Sequence, residues 1–251
     1  MIRVDNEPAF ILHQRDYRET SRLVELFTPN HGRVSVVAKG VRRQPKKGSQ
    51  AIGLFQSYST SWSGRGELMN LNRIEADSLA AELAGERLYC GLYVNEVLMR
   101  VLHYQEPHQE LFYHYRGLIT ELAAAGNLAL LLRQFELNLL TELGYGLVLD
   151  HEVAGGKAID CDATYDYIID AGPRLLADKA RASGVVISGN CLIGLRQGDL
   201  APGCLPSVRN LMRAAIDARL DGRPLVSRQM LQRMRRIHKS TPVAKETMVP
   251  E

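Results

Sequence analysis

The chain has 251 residues, a formal net charge of +3 and an apolar content of 45%, which indicates a globular protein of one or two domains rather than a disordered or fibrous one. Its first ten residues have no apolar core of the kind found in signal sequences, and its most apolar stretch, 122–132, is too short to span a bilayer. These features favour a cytosolic protein and argue against a secreted or membrane-spanning one.

Residues 1–80 predict a small β-barrel. Five short runs of apolar or alternating residues predict strands, and turn-forming segments rich in glycine separate them. The runs are 9–12, 22–27, 33–39, 54–62 and 68–74. Five strands in this length are typical of an OB-type barrel, whose face and loops bind oligonucleotides. The aromatic residues Phe55, Tyr58 and Trp62 are expected in the barrel core rather than in a base-stacking surface.

A basic segment begins in the third predicted strand. Between Glu25 and Glu67 the chain has no acidic residue, whereas it has seven basic ones. A basic strand that continues into a basic, glycine-bounded loop suits a polyanion, and nucleic acid is the commonest polyanion. The alternative interpretation is a solvated loop that serves solubility. The seven residues are Arg33, Lys39, Arg42, Arg43, Lys46, Lys47 and Arg65.

From Glu86 onward the apolar residues recur at helical spacing and predict three helices. Short connections favour a bundle, and the first helix, which is apolar on two sides, is expected at its centre. Gly144 is expected to end the third helix. The three apolar stripes are Cys90, Val94, Val97, Val101 and Tyr104; Leu111, Tyr115, Leu118 and Leu122; and Leu128, Leu132, Phe135, Leu139 and Leu143.

Together with the C-terminal elements, these patterns predict an α+β protein with three segments. Residues 165–169 and 185–187 are predicted strands, and 206–220 and 227–238 are predicted helices that start at Ser207 and Ser227. The predicted segments are an OB domain at 1–80, a mostly helical domain at 81–239 with a small irregular or β insertion around 150–190, and a disordered tail at 240–251.

The charge of the chain is divided along its length. Residues 1–79 carry a net charge of +4, residues 80–206 carry −7, and residues 207–251 carry +6. Two basic ends around an acidic middle suggest that different faces have different partners.

Four cysteines, Cys90, Cys161, Cys191 and Cys204, occur without any C-x-x-C spacing. A cytosolic protein of this size needs no disulfide, and Cys90 is expected to be a small buried apolar residue. The other three could converge on a metal, but zinc ligands usually come in close pairs. We therefore expect neither a metal nor a cofactor.

No catalytic residue is predicted, because the chain contains neither a phosphate-binding glycine loop nor a hydrolase motif. The alternative is a metal-dependent enzyme that processes nucleic acid with the carboxylates Asp160, Asp162 and Asp166. Their position in the acidic segment, away from the basic span, disfavours this alternative. A calcium loop over 160–166 is rejected, since Tyr165 stands where such a loop needs glycine. A purely structural interaction module is a third interpretation, and it predicts no salt-sensitive DNA binding.

Several motifs in order, from about residue 8 to about residue 235, resemble the RecO family of bacterial recombination mediators. They are AFIL at 9–12, RDYRETS at 15–21, LFT at 26–28, GR at 32–33, VAKG at 37–40, GLYVNEVL at 91–98, LRQFE at 132–136, LGYG at 143–146 and GRPLVSR at 222–228.

This resemblance implies an OB domain followed by a mostly helical domain in a cytoplasmic, nucleoid-associated protein. It also implies binding of single- and double-stranded DNA, annealing of complementary strands, contact with the acidic tail of single-stranded-DNA-binding protein (SSB), and work with RecR to help RecA load. The basic residues Lys39, Arg42, Arg43, Lys46 and Lys47 would then neutralise phosphates. Many members hold zinc with two C-x-x-C pairs, and this chain resembles the branch without zinc because it lacks both pairs.

The SSB tail is predicted to bind the helical domain around Arg133, with Leu132 and Phe135 on the same helix. An acidic peptide needs a local cation in the acidic middle segment, and Arg133 could hold a carboxylate while an apolar side chain enters a groove between helices. The alternative interpretation is that Arg133 pairs with Glu136 or Glu96 on the surface.

Overall fold

The computed structural model describes residues 1–40, 52–124, 126–177 and 182–240. In these ranges an N-terminal five-stranded barrel is followed by three helices, a three-stranded sheet and three further helices. The predicted fold class, an α+β protein with an OB-type barrel ahead of a mostly helical region, is confirmed.

The barrel consists of β1 (Ile2–Tyr17), β2 (Ser21–Thr28), β3 (Gly32–Ala38), β4 (Ser57–Gly64) and β5 (Leu68–Ala76). The strands close in the order β1-β2-β3-β5-β4, and β4 returns to β1. The pairing of β3 with β5 is parallel and the other pairings are antiparallel.

β1 extends far beyond the apolar run at 9–12 that predicted it. Its first part pairs with β4 and its last part with β2, with shifts in register at Val4/Glu7 and Ile11/His13. Because backbone pairing with two neighbours sustains the strand, polar residues at both ends stay within it. Hydrophobicity alone therefore underestimated its length.

The fourth strand starts later than the predicted run at 54–62, because the backbone at Phe55 is not extended. Phe55 has a φ of +60°, and the strand begins two residues later at Ser57. Phe55 packs in the core shared with the helices, whereas Tyr58 and Trp62 are buried inside the barrel.

The three predicted helices are α1 (Gly85–Val101), α2 (Gln109–Ala123) and α3 (Leu128–Glu142). Gly144 adopts a φ of +79° just after α3, which is the left-handed conformation that commonly follows a helix end. α1 packs against α2, α3 and β1, as its two apolar sides predicted. Tyr104 lies outside α1 and is exposed, so the first predicted stripe ends at Val101.

The barrel and the helices share one apolar core. Phe10 and Phe27 of the barrel pack against Phe112 and Tyr115 of α2, with ring centroids 5.0–6.0 Å apart. At Gly32 the barrel backbone passes close to the backbone of Glu106. A Cβ added at Gly32 would lie 1.8 Å from the Glu106 carbonyl oxygen. The predicted boundary at residues 80 and 81 stays a prediction about folding units.

The C-terminal part contains a sheet in the order β7-β6-β8 and three helices. The strands are β6 (Thr164–Ile168), β7 (Gly172–Leu175) and β8 (Val185–Ser188); the helices are α4 (Gly189–Gln197), α5 (Leu205–Asp217) and α6 (Val226–Ser240). The sequence did not predict β7, which is short and contains Pro173, or α4, which contains Gly194 and starts at a glycine. Within the predicted tail, residues 241–251 lie outside the described residues.

A disulfide joins Cys191 on α4 to Cys204 ahead of α5, with 5.2 Å between their Cα atoms. The expectation that the cysteines need no disulfide is therefore wrong. The unpredicted helix α4 places Cys191 beside the start of α5, which linear spacing could not anticipate. Cys161 is exposed and takes no part in the disulfide, whereas Cys90 is buried as predicted.

Candidate functional site

Four basic residues lie at the end of the barrel where β1 joins β2. Arg22 pairs in register with Ala38, the residue before Lys39, and β1 brings Arg15 and Arg18 to the same end. Arg15, Arg18 and Lys39 are exposed, and Arg22 is half-buried with its Nε 3.6 Å from Asp16. We call this group of Arg15, Arg18, Arg22 and Lys39 the basic end.

The predicted loop residues Arg42, Arg43, Lys46 and Lys47 lie outside the described residues. The chain enters that segment after Gly40, directly after the exposed Lys39. It leaves the segment at Ile52, whose carbonyl accepts a hydrogen bond from Gln14 Nε2 of β1 at 3.3 Å. Both attachment points therefore adjoin the basic end.

Arg33 lies at the opposite end of β3, about 20 Å from Lys39 at the usual rise of a strand. Its Nε donates to Glu25 Oε2 at 3.0 Å, and its other nitrogens donate to the Met99 carbonyl and to the Tyr104 hydroxyl. The guanidinium also lies 4.2 Å from the centroid of the Tyr104 ring. Arg33 thus ties the barrel to the end of α1, and these contacts occupy the guanidinium that was predicted to bind phosphate.

Arg65 is exposed at the turn between β4 and β5, and it also lies away from the basic end. The neighbouring Gly66 carbonyl accepts a hydrogen bond from Gln105 Nε2 at 3.2 Å, and the Gln105 backbone nitrogen donates to the Arg33 carbonyl. Arg65 is therefore near Arg33. The three predicted residues that the structure describes, Arg33, Lys39 and Arg65, therefore do not form one patch.

Sequence reasoning missed Arg15, Arg18 and Arg22. They alternate with Asp16 and Glu19, so no uncompensated run of charge marks them. The signal that could have found them is the hairpin itself, since antiparallel pairing of 9–17 with 21–28 places both strand ends beside the end of β3.

The second candidate site is a groove of about 470 Å³ between α3, α5 and α6. We call it the helix groove. Its apolar wall includes Ala129, Leu132, Leu205, Pro206 and Leu231, and its basic residues are Arg133, Arg209, Arg213 and Arg228. Four arginines beside an apolar wall suit an anionic segment with an apolar side chain.

Arg133 is 8% exposed and pairs with Glu136, its Nη2 lying 2.6 Å from Glu136 Oε1. The Tyr93 hydroxyl donates to the same oxygen at 2.6 Å. Arg133 Nε and Glu136 Oε2 are buried without a hydrogen-bond partner. Burial raises the pKa of Glu136 above its usual range, although Arg133 and the Tyr93 hydroxyl act in the opposite direction.

The alternative interpretation of Arg133 is thus partly correct. Arg133 pairs with Glu136, but both are buried rather than on the surface, and Glu96 has other partners. The Nε of Arg133 has no hydrogen-bond partner, and it is itself buried. Leu132 lines the groove, whereas Phe135 packs into the core shared with the barrel and is not among the lining residues.

Arg228 connects α6 to the rest of the groove. Its Nη1 donates to Asp217 on α5, and its Nη2 lies 3.5 Å from the Tyr93 hydroxyl. The pKa of Tyr93 is raised, first by burial and then by the Glu136 charge, so the hydroxyl stays protonated and can donate to Glu136. These contacts link α1, α3, α5 and α6 through one polar cluster.

Two of the three carboxylates of the enzymatic alternative come together, and the third is engaged elsewhere. Asp160 and Asp162 are exposed and form a group with Cys161 whose ligand atoms lie within 4.8 Å of one another. Asp166 instead accepts hydrogen bonds from the backbone of Ser183 and Gly184 at 2.9 and 2.8 Å. It fastens the entry to β8 and is separate from the other two.

Across the described portion of the chain, none of the helices has the length and apolar character needed to cross a membrane.

Two family models match the chain. The model for the N-terminal domain of recombination protein O matches residues 1–79, and the model for its C-terminal domain matches residues 83–186. Together they span most of the chain.

Proteins named "DNA repair protein RecO" are similar over nearly the whole chain. The protein of Methylococcus capsulatus (strain Bath) is 44% identical over 231 residues, covering 92% of this chain and 94% of its own. That of Nitrosospira multiformis is 39% identical over 236 residues, covering 94% and 98%. That of Coxiella burnetii (strain RSA 331) is 40% identical over 232 residues, covering 91% and 98%.

Proposed function

The chain belongs to the RecO family of DNA repair and recombination proteins, and we propose that it is a mediator without a catalytic step. It binds single- and double-stranded DNA at the barrel and anneals complementary strands. The observation that carries this proposal is the basic end, where Arg15, Arg18 and Lys39 are exposed at one end of the barrel.

Annealing at such a surface depends on neutralising the negative charge of the DNA. Two DNA strands repel each other through their phosphates, and cations that neutralise both strands allow the bases to meet. Base pairing then supplies the free energy, so no nucleotide and no metal is consumed. The segment with Arg42, Arg43, Lys46 and Lys47, which is attached beside the basic end, would add to this neutralisation.

The helix groove is the proposed site for the acidic tail of SSB. Its four arginines oppose the acidic residues of the tail, and its apolar wall accepts an apolar side chain. Arg133 in the groove lining would hold a carboxylate through a charge-assisted hydrogen bond. Holding SSB away from the barrel leaves the basic end open to DNA, and RecR and RecA act on that DNA afterwards in the cytoplasm.

An annealing assay with SSB-coated complementary strands tests this function. We expect annealing in EDTA and without ATP, with no cleavage of labelled DNA when magnesium or manganese is added. Cleavage dependent on these metals and abolished by Asp160→Asn would instead support the enzymatic alternative. Absence of any salt-sensitive DNA binding would support the purely structural module.

A further inference from the structure

Tyr17 is an accessible aromatic residue at the basic end. Residues 1–80 contain six residues of the Phe, Tyr and Trp types. Five of them are buried: Phe10, Phe27, Phe55, Tyr58 and Trp62. Tyr17 is the exception, with a half-buried ring at the last position of β1.

The position of Tyr17 is fixed by the strand pairing. It pairs with Ser21 at the start of β2, one step beyond the pair Asp16 and Arg22. Lys39 stands one step beyond Ala38 at the end of β3. The ring therefore lies where three strands end, among the cations that we propose bind phosphates.

The turn after Tyr17 is short and constrained. Three residues connect β1 to β2, and the first of them, Arg18, has a φ of +53°. Residues other than glycine seldom adopt this conformation, and it tends to occur at functional sites. The Arg18 guanidinium carbon lies over the Tyr17 ring, 5.2 Å from its centroid, which puts a positive charge over one aromatic face.

We infer that Tyr17 is a base-stacking platform for unpaired nucleobases and gives the basic end a preference for single strands. This inference rests on the proposed DNA binding and adds strand selection to it. Bases stack readily on aromatic side chains, with little dependence on sequence. Bases inside a duplex are already stacked and do not offer a free face, so the ring contributes only to the binding of single strands.

The inference is tested by comparing Tyr17→Ala with Tyr17→Phe on single-stranded and double-stranded oligonucleotides. We expect Tyr17→Ala to weaken single-strand binding about tenfold, which is the scale of one stacked base, and to leave duplex binding and the salt dependence unchanged. Tyr17→Phe keeps the ring and should bind as the unmodified chain does. A preserved thermal unfolding midpoint in each variant shows that the barrel is folded.

Tyr113 provides a matched control. It is an exposed tyrosine on α2 with the Arg116 guanidinium 5.0 Å from its ring centroid, which repeats the local geometry outside the basic end. Tyr113→Ala should leave binding of both DNA forms unchanged.

Fluorescence gives a second measurement. The chain has one tryptophan, Trp62, which is 1% exposed. In Tyr17→Trp a single strand should quench the added emission and a duplex should not. Unchanged single-strand affinity in folded Tyr17→Ala, or no selective quenching in Tyr17→Trp, would overturn the stacking role while DNA binding stands. An unmodified chain that binds no DNA would overturn both proposals.

Discussion

Glu96 on α1 caps the first turn of α6 through Ser227, whose backbone nitrogen and hydroxyl donate to its carboxylate at 2.8 and 2.6 Å. The backbone nitrogen of Val226 donates to the same carboxylate at 3.0 Å. A helix leaves its first backbone N–H groups without partners and carries partial positive charge at that end, so a carboxylate there stabilises it. Since α6 forms one wall of the helix groove, this cap positions the groove.

Glu96→Gln is expected to lower the free energy of unfolding by about 0.5–2 kcal/mol, the range for removal of a helix cap. The same substitution should weaken binding of an acidic peptide to the groove, because the α6 wall loses its anchor. Urea unfolding and peptide titration measure the two effects. Glu121→Gln on the exposed side of α2 is the control, and it should change neither. Equal stability of the Glu96 and Glu121 variants would contradict the capping role.

The stability difference between the unmodified chain and Glu96→Gln should depend on pH. Burial alone raises the pKa of Glu96, but the hydrogen bonds from Ser227 and Val226 and the Arg100 charge outweigh it and lower the pKa below its usual value of 4.5. A folded-state pKa below the unfolded one contributes stability that is present above the unfolded pKa and is lost as the pH falls through the folded pKa. The difference should therefore be constant near neutral pH and narrow below about 4.5.

This cap shows which features the sequence could not supply. The amphipathic pattern of 227–238 predicted α6, and Ser227 was expected to be its own N-terminal capping residue. The residue that does so is 131 positions away. Strand spacing likewise predicted the barrel, since turns and alternation are local signals. The clustering of Arg15, Arg18 and Lys39, in contrast, depends on how the paired strands end, which is a property of the barrel as a whole.

The separation of Arg33 from Lys39 has the same origin. Both lie in one basic run, and a charge count treats them alike. Burial of Arg33 against Glu25 and Tyr104 appears only when the barrel meets the helices. Local charge pointed to the region that we propose binds DNA, but it could not distinguish an exposed cation from one that joins two parts of the fold.

Arg133→Ala should weaken binding of an SSB-tail peptide by about 1.5–3 kcal/mol, the scale of a hydrogen bond to a charged group, and leave binding of naked DNA nearly unchanged. Fluorescence anisotropy with a labelled peptide measures the change. Arg116→Ala, on the exposed face of α2, removes the same charge and is the matched control. Arg133 also neutralises the buried Glu136, so Arg133→Ala alone could unfold the protein. The double variant Arg133→Met with Glu136→Gln removes both charges and allows peptide binding to be measured on folded protein. Unaltered peptide affinity in that double variant would place the peptide site elsewhere.

Replacing Arg42, Arg43, Lys46 and Lys47 together with Ala should weaken DNA binding for all sequences and flatten its salt dependence. For every phosphate that is no longer neutralised, the magnitude of the slope of log affinity against log salt should decrease by about 0.7 for single strands. Arg65→Ala is the control, since Arg65 lies away from the basic end, and its slope should match that of the unmodified chain. An unchanged slope in the fourfold variant would shift attention to the basic residues of α6.

Arg33→Met should destabilise the protein without altering its DNA binding. The substitution leaves Glu25, which is 6% exposed, without its ion-pair partner, and breaking a buried pair in this way costs about 3–5 kcal/mol. It also removes the donor to the Met99 carbonyl that joins the barrel to α1. Urea unfolding should show the decrease in stability, while the salt slope measured on folded protein should not change. A flatter slope with full stability would restore Arg33 as a phosphate ligand.

The disulfide between Cys191 and Cys204 should stabilise the C-terminal part of the chain without any metal. The two cysteines are 13 residues apart, and closing a loop of about this length stabilises a fold by about 3 kcal/mol. Dithiothreitol should therefore lower the unfolding midpoint of the unmodified chain and have no effect on Cys204→Ser. Elemental analysis should find no stoichiometric zinc, and EDTA should leave annealing intact. If the unmodified chain contained stoichiometric zinc and Cys204→Ser did not, the cysteines would be metal ligands and not a disulfide pair.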